Sequence, residues 1–198
     1  VFFFGSTGQS QLISMSEKKE LVSKLPLSKF KKNFHLGTGF NSLKETIEFI
    51  KYSIEYDFQN FLIMPPAYYK GNTEAGVFEF YSKIIKNIPK VKIILYNFEK
   101  LSGFKFEINF VKKLVNAFPK NIIGCKDSTY NLYENLKIKD FLIFPGDESK
   151  LLKGLEIGCS GCISAIANVT HKLAREVFDN FEKNKPQTSN EKLIMVRH

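Results

Sequence analysis

The feature that most constrains this chain is an alternation running its whole length. Short, continuous apolar runs are separated by stretches with helical periodicity. The runs are VFFFG (1–5), FHLGTG (34–39), FLIMPP (61–66), VKIILYN (91–97), NIIGCKD (121–127), FLIFPGD (141–147) and GCISAIANV (161–169). Between them the pattern predicts helices near 16–25, 43–56, 74–87, 107–118, 148–157 and 170–183, and a short one near 131–136. Ser42-Leu43-Lys44-Glu45 reads as a capping box ahead of Ile47, Ile50 and Ile54. Strands that are apolar on both faces and alternate with helices belong to a parallel sheet covered on both sides. Right-handed crossovers then give either an open doubly wound sheet or a closed barrel.

Seven such units, about 25–30 residues apart, favour the eight-stranded barrel, whose full length is roughly 250 residues. The expectation is an α/β fold, a (β/α)8 TIM barrel over residues 1–183 that lacks its first strand and helix and carries strands 2–8. Residues 184–198 read as the start of a C-terminal helical extension. With 198 residues, 43% of them hydrophobic, the chain can bury the core of one domain.

A formal charge of +9 raises a nucleic-acid partner, but only Arg175 and Arg197 are arginines, the residue that forks onto phosphates and guanines. The lysines are scattered among Ile, Asn and Phe and read as solvated faces, so no nucleic-acid partner is expected. Cys125, Cys159 and Cys162 do not suit a disulfide framework and point to a reducing compartment. The Cys159-Ser-Gly-Cys162 spacing has no second pair or nearby histidine to complete a metal site. No apolar stretch reaches the roughly 18 residues that span a bilayer. VFFFGSTG, without a start methionine or a basic leader, resembles mid-strand sequence more than a signal peptide. A cytoplasmic protein without membrane contact is expected.

In such a barrel the chemistry sits at the C-terminal ends of the strands. Those ends carry Gly5-Ser6-Thr7-Gly8, Gly37-Thr38-Gly39, Pro66-Ala67-Tyr68-Tyr69, Tyr96-Asn97, Lys126-Asp127-Ser128 and Gly146-Asp147-Glu148, with Ser164 on the last strand. Lys126 stands out because it ends the apolar run Ile122-Ile123-Gly124-Cys125. Lysine is rarely buried without a partner, and one drawn out of water can release its proton and act as an amine nucleophile. Tyr96 ends the preceding strand, about 5 Å away laterally if the two pair. A phenol there can relay protons while the amine forms an imine with a carbonyl substrate. GSTG offers amides and hydroxyls suited to a carboxylate.

The ordered set GSTG, GTGFNS, PPAYYK, ILYN, GCKDS, PGDE and GCISAIANV resembles the dihydrodipicolinate synthase / N-acetylneuraminate lyase family of class I aldolases, from residue 1 to about 183. The resemblance implies a (β/α)8 barrel, a homotetramer, and a Schiff base between a lysine and pyruvate or another 2-oxo acid, with no metal or organic cofactor. Matched by position, Lys126 is the imine-forming lysine and Tyr96 the proton-relaying tyrosine. Ser6 links that tyrosine to a second one, and Thr7 helps hold the substrate carboxylate. Tyr68 matches the tyrosine that reaches into a neighbouring subunit's site. The backbone at Ile163 lies where the family approaches the bound pyruvyl group.

Two departures bear on substrate. Leu101 occupies the place of an arginine that holds the second substrate's carboxylate in the synthases, and a bidentate partner is lost with it. Leu101-Ser102-Gly103 is closer to the sialate lyases and sugar-acid aldolases. Asp147, Glu148 and Ser164 fall where those lyases contact a polyol tail, although Gly146 replaces their aromatic residue. Lys100 can supply part of the missing charge. The expected function is a carbon–carbon lyase or aldolase acting on pyruvate or a 2-keto-3-deoxy sugar acid with an aldehyde partner. The alternatives are 4-hydroxy-tetrahydrodipicolinate synthesis from pyruvate and aspartate semialdehyde, and a non-catalytic 2-oxo-acid-binding or non-folding chain.

Overall fold

The computed structural model describes residues 1–196; the last two residues of the expected extension, among them Arg197, lie outside the described residues. Six parallel strands follow one another in sequence order across a single curled sheet: β1 (Phe2–Phe3), β2 (His35–Gly37), β3 (Asn60–Ile63), β4 (Lys92–Asn97), β5 (Ile122–Asp127) and β6 (Leu142–Pro145). The helices are α1 (Met15–Lys24), α2 (Leu43–Ile54), α3 (Glu74–Asn87), α4 (Glu99–Ser102), α5 (Ile108–Ala117), α6 (Leu151–Glu156), α7 (Ala167–Glu182) and α8 (Thr188–Met195). Sequential parallel pairing with a helix in most crossovers is the arrangement of part of a (β/α)8 barrel.

Local sequence explains the helices. Val77, Phe80, Tyr81, Ile84 and Ile85 recur along one face of α3 and are buried, each large apolar side chain contributing roughly 1.5–3 kcal/mol. Ser42 accepts from the Glu45 amide at the start of α2, which is the serine half of the expected box. The complete reciprocal box lies instead at Ser14 and Glu17, ahead of α1. Helix α4 is a single turn closed by Gly103 at φ +68°, too short to leave a periodic signal.

The core has two layers. Leu36, Phe61, Ile63, Ile93, Leu95, Ile122, Cys125 and Ile143 point outward and pack beneath the helices. Leu62, Ile94 and Tyr96 point inward, with Phe2, Met64, Phe98, Ile123 and Phe144 around them. Period-two alternation therefore sorts each strand into a helix-facing and an interior set.

Two expectations fail. The run 161–169 is not a strand among the described residues, and its last three residues already belong to α7. Ser160 N–H reaches Ile143 O at 2.9 Å. A parallel ladder would next need an amide from residue 145, which is proline and has none. Ile163 N–H then bonds Pro145 O at 3.1 Å, one residue later than a regular ladder. The slack sits at Gly161, whose φ is +138°. The segment follows β6 without forming a regular strand. Residues 131–136 also form no helix; turns fill that stretch because a carboxylate claims the amides there, as described below.

Candidate active site

The site begins with a register. Ile93 pairs with Ile122, but Ile94 pairs with Gly124, so Ile123 and Gly124 together oppose one residue of β4. This β-bulge advances the rest of β5 by one position. Tyr96 consequently faces Lys126, and Asn97 faces Asp127. Without the extra residue Tyr96 would face Cys125, and the amine would turn to the helix side. Gly124 is required by a close approach: a Cβ there would lie 2.6 Å from Leu142 O.

Lys126 is 8% exposed. Its Nζ donates to the Tyr96 hydroxyl at 3.1 Å and lies 4.2 Å from that ring's centroid. The Tyr96 hydroxyl shares a hydrogen bond of 2.9 Å with Ser6 Oγ. Amine, phenol and hydroxyl thus form one hydrogen-bonded line across β5, β4 and the loop after β1. The line opens into a cavity of about 600 Å³ lined by Thr7, Glu99, Lys100, Ser128, Thr129, Tyr130 and Asp147 among others. On the far side of Ser6 and Tyr96 lies a recess of about 140 Å³ bounded by Leu101, Met64, Ala67 and Ser10. Leu101 is 40% exposed and gives that recess an apolar wall.

Of the residues singled out in the sequence, Lys126, Tyr96, Ser6, Thr7 and Asp147 converge on one cavity. Asp147 also accepts from the amide and hydroxyl of Ser149, at 2.8 and 2.7 Å. Glu148 is fully buried and accepts from Ser164 Oγ. Ile163 contributes its backbone amide to Pro145. Tyr68 stands apart: it is 80% exposed, at φ +71°, edge-on to Tyr69. Cys162 lies near the amine; burial, aided by Glu148 and Asp147 and opposed by Lys126, pushes its thiol up to about 12.

Two groups have no role of their own in the sequence reading. The first is the pair Asn97 and Asp127, both fully buried on the opposite strand face from Tyr96 and Lys126. Strand alternation gives them a common face, since the residue after Tyr96 and the residue after Lys126 must each face the other way. The second is Lys18 on α1, with no exposed surface. Its Nζ donates to Thr38 O at 2.9 Å and lies 3.6 Å from the Phe40 ring centroid. Burial lowers its ammonium from 10.5 to about 8, opposed by the Glu45 charge.

A sequence model of the dihydrodipicolinate synthetase family matches residues 1–197. A 4-hydroxy-tetrahydrodipicolinate synthase from Hydrogenobaculum sp. is 33% identical over 178 residues, covering 87% of this chain and 60% of the relative. A 2-dehydro-3-deoxy-D-gluconate/2-dehydro-3-deoxy-phosphogluconate aldolase from Picrophilus torridus is 28% identical over 190 residues, covering 93% of this chain and 69% of the relative. The solved 2-keto 3-deoxygluconate aldolase of Picrophilus torridus superposes with a TM-score of 0.85 at 26% identity, over 97% of this chain and 69% of that one. The chain therefore spans about 60–69% of the length of these relatives. A family match along almost the whole sequence carries one conclusion: this chain belongs to the dihydrodipicolinate synthetase family.

Proposed function

We propose that this chain carries the reacting centre of a class I aldolase, a carbon–carbon lyase that holds a 2-oxo acid as an imine on Lys126. The Lys126–Tyr96–Ser6 line, at 3.1 and 2.9 Å, is the observation that carries the reading. The amine of Lys126 attacks the ketone carbon, and the carbinolamine loses water to give a protonated imine. That imine accepts the electron pair released when the neighbouring carbon–carbon bond breaks, or returns it when the bond forms. Tyr96, linked to Ser6, moves the proton for dehydration and for the aldehyde. Thr7 and the loop amides orient the carboxylate so that the breaking bond lies across the imine plane. Asp147, on the cavity wall, is the candidate contact for a hydroxylated tail, while Glu148 is buried and held to Ser164; a polar wall there favours a 2-keto-3-deoxy sugar acid. The Picrophilus relative supports that substrate class.

Tetrahydrodipicolinate synthesis is the second reading, favoured by the Hydrogenobaculum relative. The apolar Leu101 at the mouth weighs against it, because a second carboxylate finds no guanidinium there. We place the chain in a (β/α)8 barrel of which it supplies the second to eighth repeats, the last with its irregular strand. The barrel is assigned to a cytoplasmic homotetramer in which the exposed Tyr68 reaches a neighbouring subunit's site. Borohydride reduction of the full protein with pyruvate tests the reading: an irreversible adduct mapping to Lys126 is expected, and its absence overturns the reading. Rates with sugar acids against aspartate semialdehyde separate the two substrates.

A further inference from the structure

We infer that Asn97 and Asp127 clamp the ends of β4 and β5 and thereby set the reach between Lys126 and Tyr96, making Asp127 a positioning residue for the imine chemistry proposed above, on which the inference rests. Register places the two pairs back to back: Tyr96 with Lys126 toward the cavity, Asn97 with Asp127 toward the helices. Asn97 Nδ2 donates to Asp127 Oδ1 at 2.8 Å, and Ser128 N–H bonds Asn97 O at 2.8 Å. The two strand ends are therefore tied by side chain and backbone, one residue beyond the reacting atoms.

The rest of the carboxylate is spent on the cavity wall. Oδ1 also accepts from the amides of Thr129 and Tyr130, at 3.2 and 2.9 Å, and Oδ2 from those of Leu132 and Tyr133, at 2.8 and 2.9 Å. Charge-assisted bonds to amides are the strong kind, and a buried carboxylate requires them. They curl the segment after β5 so that Ser128, Thr129 and Tyr130 line the cavity. Asn97 closes the circuit. Its Nδ2 reaches Asn131 Oδ1 at 2.8 Å, and its Oδ1 accepts from Phe106 N–H at 3.2 Å. Asn131 in turn donates to Phe106 O at 2.9 Å. The bonds of Asp127 constrain the height of β4 against β5 and the wall above the amine, and those to Phe106 anchor the circuit to the segment before α5. A reacting geometry displaced by about 1 Å loses rate by roughly 10²-fold, so the clamp acts on rate and not on substrate affinity.

The test uses the full protein, with pyruvate in deuterium oxide. Exchange of the methyl protons, followed by NMR, requires imine formation and proton relay but no aldehyde. Asn97→Ala removes the strand-to-strand side-chain bond and leaves the amide bonds of Asp127 in place. The expected result is exchange slowed by about 10²-fold, KM for pyruvate within about 3-fold, and a smaller fraction of bound pyruvate trapped by borohydride at Lys126. Asp127→Glu, which keeps the charge, should recover more rate than Asp127→Asn. Wild-type protein that fails to trap pyruvate overturns the imine reading and the clamp together. Wild-type trapping with unchanged exchange in Asn97→Ala overturns the clamp alone. If Asn97→Ala does not fold, Asp127→Asn is set against Asn131→Ala, which loosens the wall but spares the strand tie. A larger rate loss in Asp127→Asn supports the clamp, and equal losses overturn it.

Discussion

Lys18 and Lys126 are both buried lysines, and their surroundings differ in ways that bear on the chemistry proposed for Lys126. Lys18 has no exposed surface, donates to a backbone carbonyl and lies against the Phe40 ring. Gly39 seals it in: a side chain there would overlap Ser10 Oγ and come within 3.2 Å of Lys18 Nζ. Lys126 keeps a sliver of access, donates to a phenol that is itself linked to a serine, and opens on a cavity of about 600 Å³. Burial is common to both. What separates them is an open cavity beside the amine and a partner hydroxyl that can both donate and accept; the carbonyl of Thr38 can only accept.

The sharpest way to break this contrast is to delete each amine in turn. Lys126→Ala should abolish borohydride trapping of pyruvate and lower methyl exchange by about 10⁴-fold or more, while Lys18→Met leaves trapping at Lys126 within a few-fold. An adduct on Lys18, found by peptide mass mapping, would collapse the distinction. Tyr96→Phe removes the proton-exchanging partner and leaves the amine in place. Exchange should fall by about 10²–10³-fold, with pyruvate binding retained in calorimetry.

The next prediction concerns stability and belongs to Lys18 alone. Its folded value near 8 lies below the 10.5 of the unfolded chain. Between those limits the unfolded chain holds a proton that the folded one has released, so folding is favoured as pH rises through that window. Below pH 8 both states are protonated, and the buried ammonium is a net cost. The stability of wild type relative to Lys18→Met should therefore rise by up to ~3 kcal/mol from pH 7.5 to pH 10.5, measured by urea unfolding. A flat difference would mean that Lys18 is hydrated in solution. The smallest effect is assigned to Ser6→Ala, about 10-fold in exchange, because it removes one hydrogen bond from the far side of the phenol.

Much of this architecture was legible from periodicity. Five of the six strands fall within their apolar runs, β3 starts one residue ahead of its run, and most helices lie in their helical stretches, because burial on both sheet faces leaves a clear signature. The last strand was misread because Gly161 and Pro145 act through hydrogen-bond geometry, which hydrophobicity does not record. The short helix expected at 131–136 failed for a related reason: Asp127 binds the amides of Leu132 and Tyr133. The Lys126–Tyr96 pair could be guessed from strand ends, but the bulge at Ile123 that brings the two face to face leaves no mark in composition. Lys18 hid among many lysines, since nothing local distinguishes a sealed ammonium from a solvated one.

The missing N–H of Pro145 carries a dynamic consequence. β4 and β5 are joined by a continuous ladder on either side of one bulge, whereas the segment after Cys159 is fastened to β6 through the amides of Ser160 and Ile163. Sparse fastening lowers the free energy of local opening. Amide protons around residues 160–163 should exchange with solvent well before those of β4 and β5. Such breathing stays local to the segment after Cys159, while the β4–β5 ladder holds amine and phenol at their spacing.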